Sequence, residues 1–347
     1  GFMCRSDYES VLDRMCLQTG LFWPMPICLD VPEIQANTLE TGQSVTLRDP
    51  EGFLLAVMHI DDKWTIDRKK ESLQIYGTHD EAHQGVHYVF NDMGGVYIGG
   101  RLEVLSLPLH FDFKQLRLSP GETRAAFDKL GWKRVVGFQT RSPMQRPQFE
   151  MTMRAMRAAK ANILIHPVVG MTKPGDFDHY TRVRCYKAVT GQYPPDSFLL
   201  NLLPFAMRMA GPKEALLHAI VSKNFGCSHF IVGRDHAGPG VNGNNQRFYE
   251  PNAAMELANK HSEELEIDIV PFEELVYLPF EDEYQTKDKV PKGTQNISLS
   301  GSDIRQRIKS GKRIPDWATF PTVMEVLQIA YPPPSKQGFT VFMTGLS

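Results

Sequence analysis

The sequence is poor in cysteine, and the cysteines it has form no recognisable metal-binding pattern. The 347 residues include five cysteines, which are scattered along the chain, odd in number and without a CxxC pair. Structural zinc sites and disulfide frameworks need paired or regularly spaced cysteines. The pattern therefore argues against both, predicts no metal held by the protein, and favours a reducing compartment such as the cytoplasm or an organelle matrix.

The chain also lacks an excess of positive charge and a long apolar run. Lys and Arg total 38 against 40 Asp and Glu, for a formal net charge of −2, so no basic field recruits nucleic acid. No apolar run approaches the roughly 20 residues that span a bilayer. The first residues, GFMCRSDYES, show neither a signal-peptide pattern nor an initiator methionine, and we expect the natural start to lie upstream. We predict neither a nucleic-acid nor a membrane partner.

The first third of the chain predicts a β-rich domain. Its apolar residues come in short or alternating runs, and Gly, Asp and Asn break these runs. The predicted strands are Ser44–Leu47, Leu54–His59, Val86–Phe90 and Val96–Ile98.

From Ser119 onward, helix and strand patterns alternate. Ser119 is a predicted N-cap, Pro120 suits the first turn, and Gly131 can end the helix. The predicted strands that follow are 134–138, 161–169, 197–204, 229–233 and 267–272, and the helices between them are 149–160, 178–189, 212–224 and 251–261. Such alternation predicts an α/β domain whose parallel sheet is covered by helices on both faces. Ligands of these folds bind beyond the carboxyl ends of the strands.

The stretch QTRSP follows one of these strands and precedes a helix. Gln139, Thr140 and Arg141 offer hydrogen-bond donors there, and the free N–H groups of the helix start add to them. Arg141 can hold an oxyanion through two parallel bonds. The stretch predicts an anion site, and a polar loop with a surface arginine is an equally weighted alternative.

A second stretch, GRDHAGPG at 233–240, also follows a strand. Its glycines permit close approach of the backbone to a ligand. Arg234 is suited to hold phosphate, and Asp235 to orient His236. The alternative is a glycine-rich surface loop with a local Arg–Asp pair.

Two further stretches have the same double interpretation. Residues 166–182, with Lys173 and an acidic cluster, predict a lid over bound phosphates, although Asp178 alone is better explained as a helix cap. In LSGSDIRQRI, Ser300 and Ser302 at a helix start suit a triphosphate. An ordinary N-cap followed by a surface arginine, Arg305, explains the same residues.

These four stretches, in this order, resemble the ATP sulfurylase (sulfate adenylyltransferase) family. QTRSPMQRPQFEMTMRA is similar to the family signature Q-T-R-N-P-M-H-R-A-H, and ANILIHPVVGMTKPGDFDHYTRVRCY, LLPFAMRMAGPKEALLHAI and SHFIVGRDHAGPG follow the family almost word for word. LSGSDIR is similar to the I-S-S/G-T-x-x-R motif of the wider HxGH nucleotidyltransferase superfamily. The resemblance covers nearly the whole chain.

The resemblance implies an α/β protein of several domains. An N-terminal PUA-like β domain, incomplete at its start, would occupy 1–115, and a Rossmann-like nucleotidyltransferase domain with a parallel sheet 116–280. A small α-rich subdomain would occupy 281–331. In 332–347, a Pro-rich linker would lead into FTVFMTGLS, which resembles the first strand of adenylylsulfate kinase. The resemblance thus implies a fused sulfurylase–kinase protein that forms a homo-oligomer.

The implied reaction is ATP plus sulfate giving adenylyl sulfate (APS) and pyrophosphate, by in-line attack of sulfate on the α-phosphorus with Mg²⁺ bound to ATP. Carried over by position, Gln139, Arg141 and the backbone of Ala237 would bind sulfate. The catalytic group would be Thr140, Arg141 and Ser142. The nucleotide site would comprise Gln139, Thr140, Arg141, Ser142, Gln145, Gln148, Gly233, Arg234, Asp235, His236, Leu275, Ser300 and Ser302.

The sequence departs from the family signature at its most reactive positions. Ser142 stands where the family has asparagine, and Gln145 and Gln148 stand where it has two histidines that hold the phosphates. Glutamine donates only neutral hydrogen bonds, which are roughly half as strong as charge-assisted ones. Two interpretations therefore stay open. The chain is an active nucleotidyltransferase, or it is a catalytically impaired domain that binds nucleotide or APS and serves a fused APS kinase as regulator or scaffold.

Overall fold

The structure is a computed structural model that describes residues 1–172, 175–272, 274–338 and 340, with the backbone but not the side chain of Ser302. Lys173 of the predicted lid lies outside these residues. So does the predicted strand FTVFMTGLS, except for Thr340. Among the helices that the structure describes, none is both long and apolar enough to cross a bilayer.

The N-terminal part contains a four-stranded antiparallel sheet in the order β1–β4–β3–β2. Its strands are β1 Leu29–Val31, β2 Ser44–Arg48, β3 Leu54–Thr65 and β4 Val96–Val104. Alternate residues of β3 are buried, among them Met58 and Ile60, because successive side chains of a strand point to opposite faces. The helices around the sheet are α1 Arg5–Arg14, α2 Glu33–Ala36, α3 Arg68–Tyr76 and α4 Gln84–His87. The predicted β-rich character is confirmed at three of the four strand positions.

The fourth prediction, a strand at Val86–Phe90, is wrong. The segment forms α4 and a π-helical turn, Tyr88–Asp92. His83 caps this helix, since its Nδ1 accepts the Gly85 N–H at 3.0 Å. Val86 and Val89 are both buried, and a spacing of three residues puts them on one helix face. Helical periodicity was therefore present in a run that is too short to distinguish from a strand by composition.

The central part is built on a five-stranded, wholly parallel sheet in the order β7–β6–β5–β8–β9. Its strands are β5 Val135–Thr140, β6 Asn162–Pro167, β7 Phe198–Leu200, β8 His229–Gly233 and β9 Asp268–Phe272. The helices are α5 Pro120–Lys129, α6 Arg146–Ala159, α7 His179–Ala188, α8 Pro212–Asn224, α9 Ala253–Lys260 and α10 Ser262–Leu265. Ser119 caps α5 in a capping box with Glu122, and Asp178 caps α7. The predicted parallel sheet is confirmed.

Each face of this sheet has its own apolar core. One core contains Val136 and Ile231 of the sheet, and the other contains Val135 and Phe230. Adjacent residues of a strand thus lie in opposite cores, as the two-residue period of strands requires. Helices cover both faces, and the sheet is buried between them.

The C-terminal part adds a hairpin and two helices. The hairpin, β10 Leu275–Leu278 and β11 Glu283–Thr286, was not predicted. The helices α11 Gly301–Lys309 and α12 Pro321–Ala330 follow. Ile304 of α11 and Leu327 of α12 belong to the same core as Val136, so these helices pack onto the central sheet. Short 3₁₀ turns occur at Lys114–Leu116, Thr190–Gln192, Lys287–Lys289 and Pro334–Lys336.

Candidate active site

The strand order creates a crevice at the carboxyl ends of β5 and β8. From β5, the chain builds the sheet through β6 and β7 on one side, and then returns to add β8 and β9 on the other. Neighbouring strands whose connections leave in opposite directions open a crevice at their carboxyl ends, where open α/β sheets bind ligands. QTRSP follows β5 and GRDHAG follows β8, so both predicted loops border this crevice.

Three adjoining cavities open at the crevice, and Arg141 or its neighbours line each of them. We call the three together the cleft. The first cavity is lined by Arg141, Ser142, Gln145, Gln148, Gly301 and Arg305 among others. The second is lined by Arg141, Arg234, Asp235, His236, Arg247 and Arg305 among others. The third is lined by Gln139, Thr140, Arg141, Ser142, His236 and Ala237 among others. Of the residues that the structure describes, Arg141 alone lines all three.

Four of the predicted site residues do not appear among the described residues that line the cleft. Gly233 ends β8, and Leu275 is buried at the start of the hairpin; neither is among the residues that line the cleft. Ser300 caps α11, with its Oγ 2.6 Å from Asp303 Oδ2, while its neighbour Gly301 lines the first cavity. The side chain of Ser302 is outside the described part. Ligand contacts of all four stay predictions.

Arg141 is held from two sides. Its Nη1 lies 2.5 Å from Asp176 Oδ2. Its carbonyl oxygen accepts a hydrogen bond from Nη1 of the buried Arg182 at 3.0 Å, and the same Nη1 donates to the Val168 carbonyl at 2.9 Å. Arg182 thus ties the loop after β5 to the loop after β6. Arg141 projects from a backbone that is fixed before any ligand arrives.

The turn after β5 is closed by hydroxyl groups. Thr140 Oγ1 accepts the Ser142 N–H at 3.2 Å. The hydroxyl of Tyr186, a buried residue of α7, donates to the Ser142 carbonyl. The backbone of the predicted catalytic group is therefore anchored by its own side chain and by a neighbouring helix.

Gln145 and Gln148 lie at the N-terminus of α6. Gln145 is the N-cap residue, and its N–H donates to Gln148 Oε1 at 3.1 Å. Gln145 Oε1 is buried and has no hydrogen-bond partner among the described residues. The side-chain oxygen of Gln148 thus caps the helix, and its NH₂ group stays available to donate to a ligand in the cleft. Of the first N–H groups of α6, those of Gln145 and Arg146 donate to Gln148 Oε1 and to the Ala318 carbonyl, and Pro147 has none. The predicted contribution of free N–H groups at this helix start therefore stays a prediction.

The loop after β8 carries charged pairs and one strained residue. Arg234 Nη1 lies 2.6 Å from Glu274 Oε2, and Arg247 Nη1 lies 2.7 Å from Asp235 Oδ1. Asp235 therefore pairs with Arg247, and the expectation that it orients His236 is wrong. The partner of His236 is His218, at 2.9 Å between Nε2 and Nδ1.

Ala237 takes a left-handed conformation, with φ of 49°. Its carbonyl accepts the Gly211 N–H at 3.0 Å, whereas its own N–H donates to no described residue. The neighbouring N–H groups of His236 and Gly238 donate to the Gly233 and Asp235 carbonyls, so of these three the Ala237 N–H is the one left for an anion. This geometry is compatible with the predicted backbone contact to sulfate.

Comparison with known proteins agrees with this geometry. The model of the ATP-sulfurylase family matches residues 114–330, and that of a PUA-like domain matches residues 1–107. The chain belongs to the ATP-sulfurylase family. Its N-terminal sheet is the PUA-like domain, and its parallel sheet is the core of the ATP-sulfurylase domain.

The relatives of this ATP-sulfurylase family chain are longer proteins. A sulfate adenylyltransferase of Mycosarcoma maydis is 48% identical over 349 residues, which cover 100% of this chain and 61% of the relative. A sulfate adenylyltransferase of Schizosaccharomyces pombe is 47% identical, over 100% of this chain and 71% of the relative. The chain thus spans about 60 to 70% of the length of these curated relatives.

A solved structure described as "Hexameric APS kinase from Thiobacillus denitrificans" has the same fold. It superposes with a TM-score of 0.79 and 30% sequence identity, over 99% of this chain and 61% of that one. The two structures therefore share this fold over nearly the whole length of the present chain.

Several residues of this ATP-sulfurylase site were missed by sequence reasoning. Arg182 and Tyr186 hold the turn after β5, and His218 contacts His236. Arg182 and Tyr186 are four residues apart on α7 and point to the same side, which was the available signal. Arg305 was noticed, but an N-cap followed by a surface arginine explained it equally well.

Charge in the cleft is largely balanced by pairs. Arg141, Arg234 and Arg247 each have a carboxylate partner. Arg305 has no ion-pair partner within the described part of the chain, and it lies between the first and second cavities. No group of three or more His, Cys, Asp and Glu residues within that part is arranged to hold a metal ion.

Buried histidines behind the cleft predict acid sensitivity. His166 of β6 is fully buried, and neither ring nitrogen has a partner among the described residues. Burial lowers the pKa of His166 from 6.5 to about 3. Between these values the unfolded chain binds a proton that the native state does not, so the free energy of unfolding falls as the pH falls. When the pH falls from 6.5 to 4.5, we expect His166 to lower the free energy of unfolding by on the order of 2 kcal/mol.

We therefore expect His166→Leu to flatten the decline of stability between pH 6.5 and 4.5, measured by urea unfolding. The matched control is Phe225→Leu, since the Phe225 ring packs against the His166 ring with 4.4 Å between the ring centroids. It should lower stability at every pH and leave the slope unchanged. Parallel slopes for wild type and His166→Leu would contradict the assignment.

Proposed function

We propose that this chain is a sulfate adenylyltransferase, which transfers the adenylyl group of ATP to sulfate and releases pyrophosphate. The observation that carries the proposal is the position of Arg141 at the junction of all three cavities. Each neighbouring cavity is lined by one of the stretches that resemble the family. The names of the relatives support the enzyme over the binding-domain alternative.

In the proposed reaction a sulfate oxygen attacks the α-phosphorus in line. A new S–O–P bridge forms, the bond from the α-phosphorus to the bridging oxygen breaks, and pyrophosphate leaves with that electron pair. Such chemistry needs positioning and charge stabilisation. Mg²⁺ enters as part of the ATP complex and neutralises phosphate charge.

The site residues divide into two groups in this proposal. Sulfate lies in the third cavity, against Arg141 and the Ala237 N–H, and Gln139 lines this cavity while its NH₂ group donates to His218 and Ser222. When sulfate binds, it displaces Asp176, and Arg141 exchanges a carboxylate partner for the sulfate anion. A guanidinium can hold a tetrahedral oxyanion through two parallel bonds, which fixes its orientation.

The nucleotide takes the remaining two cavities. Thr140, which lines the third cavity, contacts the α-phosphate where it meets the sulfate, while Arg234 and His236 line the nucleoside side in the second cavity. Gln148, Arg305 and the first N–H groups of α11 stabilise the departing pyrophosphate. Arg305 supplies the positive charge that Gln145 and Gln148 cannot.

The experiment is ATP formation from APS and pyrophosphate by the purified chain with Mg²⁺, followed by luminescence. Turnover supports the proposal. APS binding by calorimetry without turnover favours a regulatory or scaffold domain of a fused APS kinase. If the chain shows neither turnover nor APS binding, the enzyme and the binding-domain interpretations are both overturned.

We further propose that the chain works beside an APS kinase domain in an oligomer, in the cytoplasm or an organelle matrix. The greater length of the relatives and the description of the solved structure as a hexameric APS kinase support the first part. The scattered cysteines support a reducing compartment. Mass measurement of the full-length protein tests the assembly.

A further inference from the structure

One face of α8 carries a row of buried polar residues behind the cleft. Glu214, His218 and Ser222 follow each other at four-residue intervals, and all three are almost fully buried. Residues four apart lie on the same side of a helix. Buried polar groups need hydrogen-bond partners, and the partners of this row are parts of the active-site loops.

Glu214 anchors the segment that precedes α8. Its Oε1 accepts the Arg208 N–H and its Oε2 accepts the Ala210 N–H, both at 2.9 Å. Oε1 also lies 3.5 Å from His218 Nε2, an electrostatic contact, since this buried nitrogen has no hydrogen-bond partner among the described residues. A carboxylate beside this nitrogen favours the tautomer of His218 in which Nε2 carries the proton.

His218 then presents a bare Nδ1 to the loop after β8. This nitrogen lies 2.9 Å from His236 Nε2. Of two ring nitrogens in contact, one must donate and the other accept. Because His218 Nδ1 is the acceptor, His236 must donate from Nε2 and keep Nδ1 unprotonated. Burial lowers the pKa of His236 to about 3, in agreement with a neutral ring.

The same helix face also holds the end of strand β5, from which the other active-site loop leaves. Gln139 Nε2 donates to the His218 carbonyl at 3.2 Å and to Ser222 Oγ at 3.1 Å. The approach depends on Gly137 of β5, where a Cβ would lie 3.2 Å from Ser222 Cβ. One helix face therefore contacts both loops that form the third cavity.

We propose that His218, supported by Glu214, is a positioning residue that holds His236 as the neutral Nε2–H tautomer. The nitrogen that His236 offers a ligand is then Nδ1, an acceptor. An acceptor suits a ribose hydroxyl or the adenine amino group and repels a phosphate oxygen. His236 thereby distinguishes the nucleoside end of the substrate from its phosphate end. This role rests on the proposed function, whereas the tautomer itself does not.

The test is long-range ¹⁵N–¹H NMR of the imidazoles at pH 7, with His236 assigned by its loss in His236→Gln. We expect His236 in the wild-type chain to show a protonated Nε2 and a bare Nδ1. A protonated Nδ1 or an imidazolium overturns the proposal. This result needs no turnover, so it is separate from any failure of the proposed function.

Two variants test whether His218 is the cause. His218→Leu removes both ring nitrogens, and we expect a tautomer mixture at His236 and a roughly 10- to 100-fold loss of kcat/KM, the size typical of lost orienting contacts. His218→Asn keeps an acceptor near the position of Nδ1 and should restore the tautomer and most of the activity. His229→Leu, on the far end of β8, is the matched control and should change neither. A fixed Nε2–H tautomer in His218→Leu overturns the assignment, and if that variant does not fold, the wild-type spectrum still decides.

Discussion

Replacing Arg141 with alanine is expected to lower the rate of ATP formation from APS and pyrophosphate by about 10³-fold or more. Among the described residues, Arg141 is the one that lines all three cavities of the cleft. Loss of a single neutral donor at a developing negative charge already costs roughly 10²- to 10³-fold, and arginine supplies a charge in addition. The measurement is the initial rate at saturating substrates, beside APS affinity by calorimetry.

Two controls separate the charge of Arg141 from its shape and from general damage. Arg141→Lys keeps the charge and loses the paired geometry, so it should recover only a small part of the rate. Arg157→Ala removes an exposed arginine of α6 whose ion pair, at 4.0 Å, is long, and it should behave as wild type. Arg141→Ala at more than one tenth of the wild-type rate would show that the anion is bound elsewhere.

The Gln145→His/Gln148→His double variant is expected to raise the rate, by as much as about 10²-fold. The wild-type glutamines offer only neutral donors, whereas histidine can supply charge-assisted ones to the pyrophosphate. The helix should tolerate the change. Gln148 now caps the Gln145 N–H through its side-chain oxygen, and histidine can cap as well, as His83 does for Gly85 in α4.

The matched control is Gln35→His/Gln74→His, which adds two histidines at exposed positions of the N-terminal part, outside the cleft. It should leave the rate at the wild-type level, and the thermal midpoints of all three proteins should agree within a few degrees. An unchanged rate in the motif variant would mean that Arg305 and the N-terminus of α11 already stabilise the leaving group. A slower motif variant would contradict the proposed role of both positions.

Much of the fold could be predicted because its signals are local. The helix after Ser119 has its cap, its proline and its terminating glycine within 13 residues, and the parallel strands are short, uniformly apolar runs. Val86–Phe90 failed because a five-residue apolar run fits either period. The β10–β11 hairpin was missed because no strong turn signal separates its strands.

The candidate site was predicted in its parts and not in its contacts. The loops after β5 and β8 could be placed at one edge, since the carboxyl ends of parallel strands meet there. The pairing of Asp235 with His236 was wrong because adjacent residues in a tight loop point apart, and Arg247, 12 residues along the chain, lies closer. The partner of His236 comes from α8, 18 residues earlier.

The sequence by itself determined the family, the parallel sheet and the loops that carry the site, since these depend on residue type and on periodicity along the chain. Only the tertiary structure decided which residues act together. It places Arg141 against Asp176, ties its backbone to Arg182, and stacks Glu214, His218 and Ser222 behind the cleft. These contacts join residues far apart in the chain, because they form only when helices close over a finished sheet. The periodicity of a sequence predicts which face of an element a residue occupies, and tertiary packing determines which residue it contacts there.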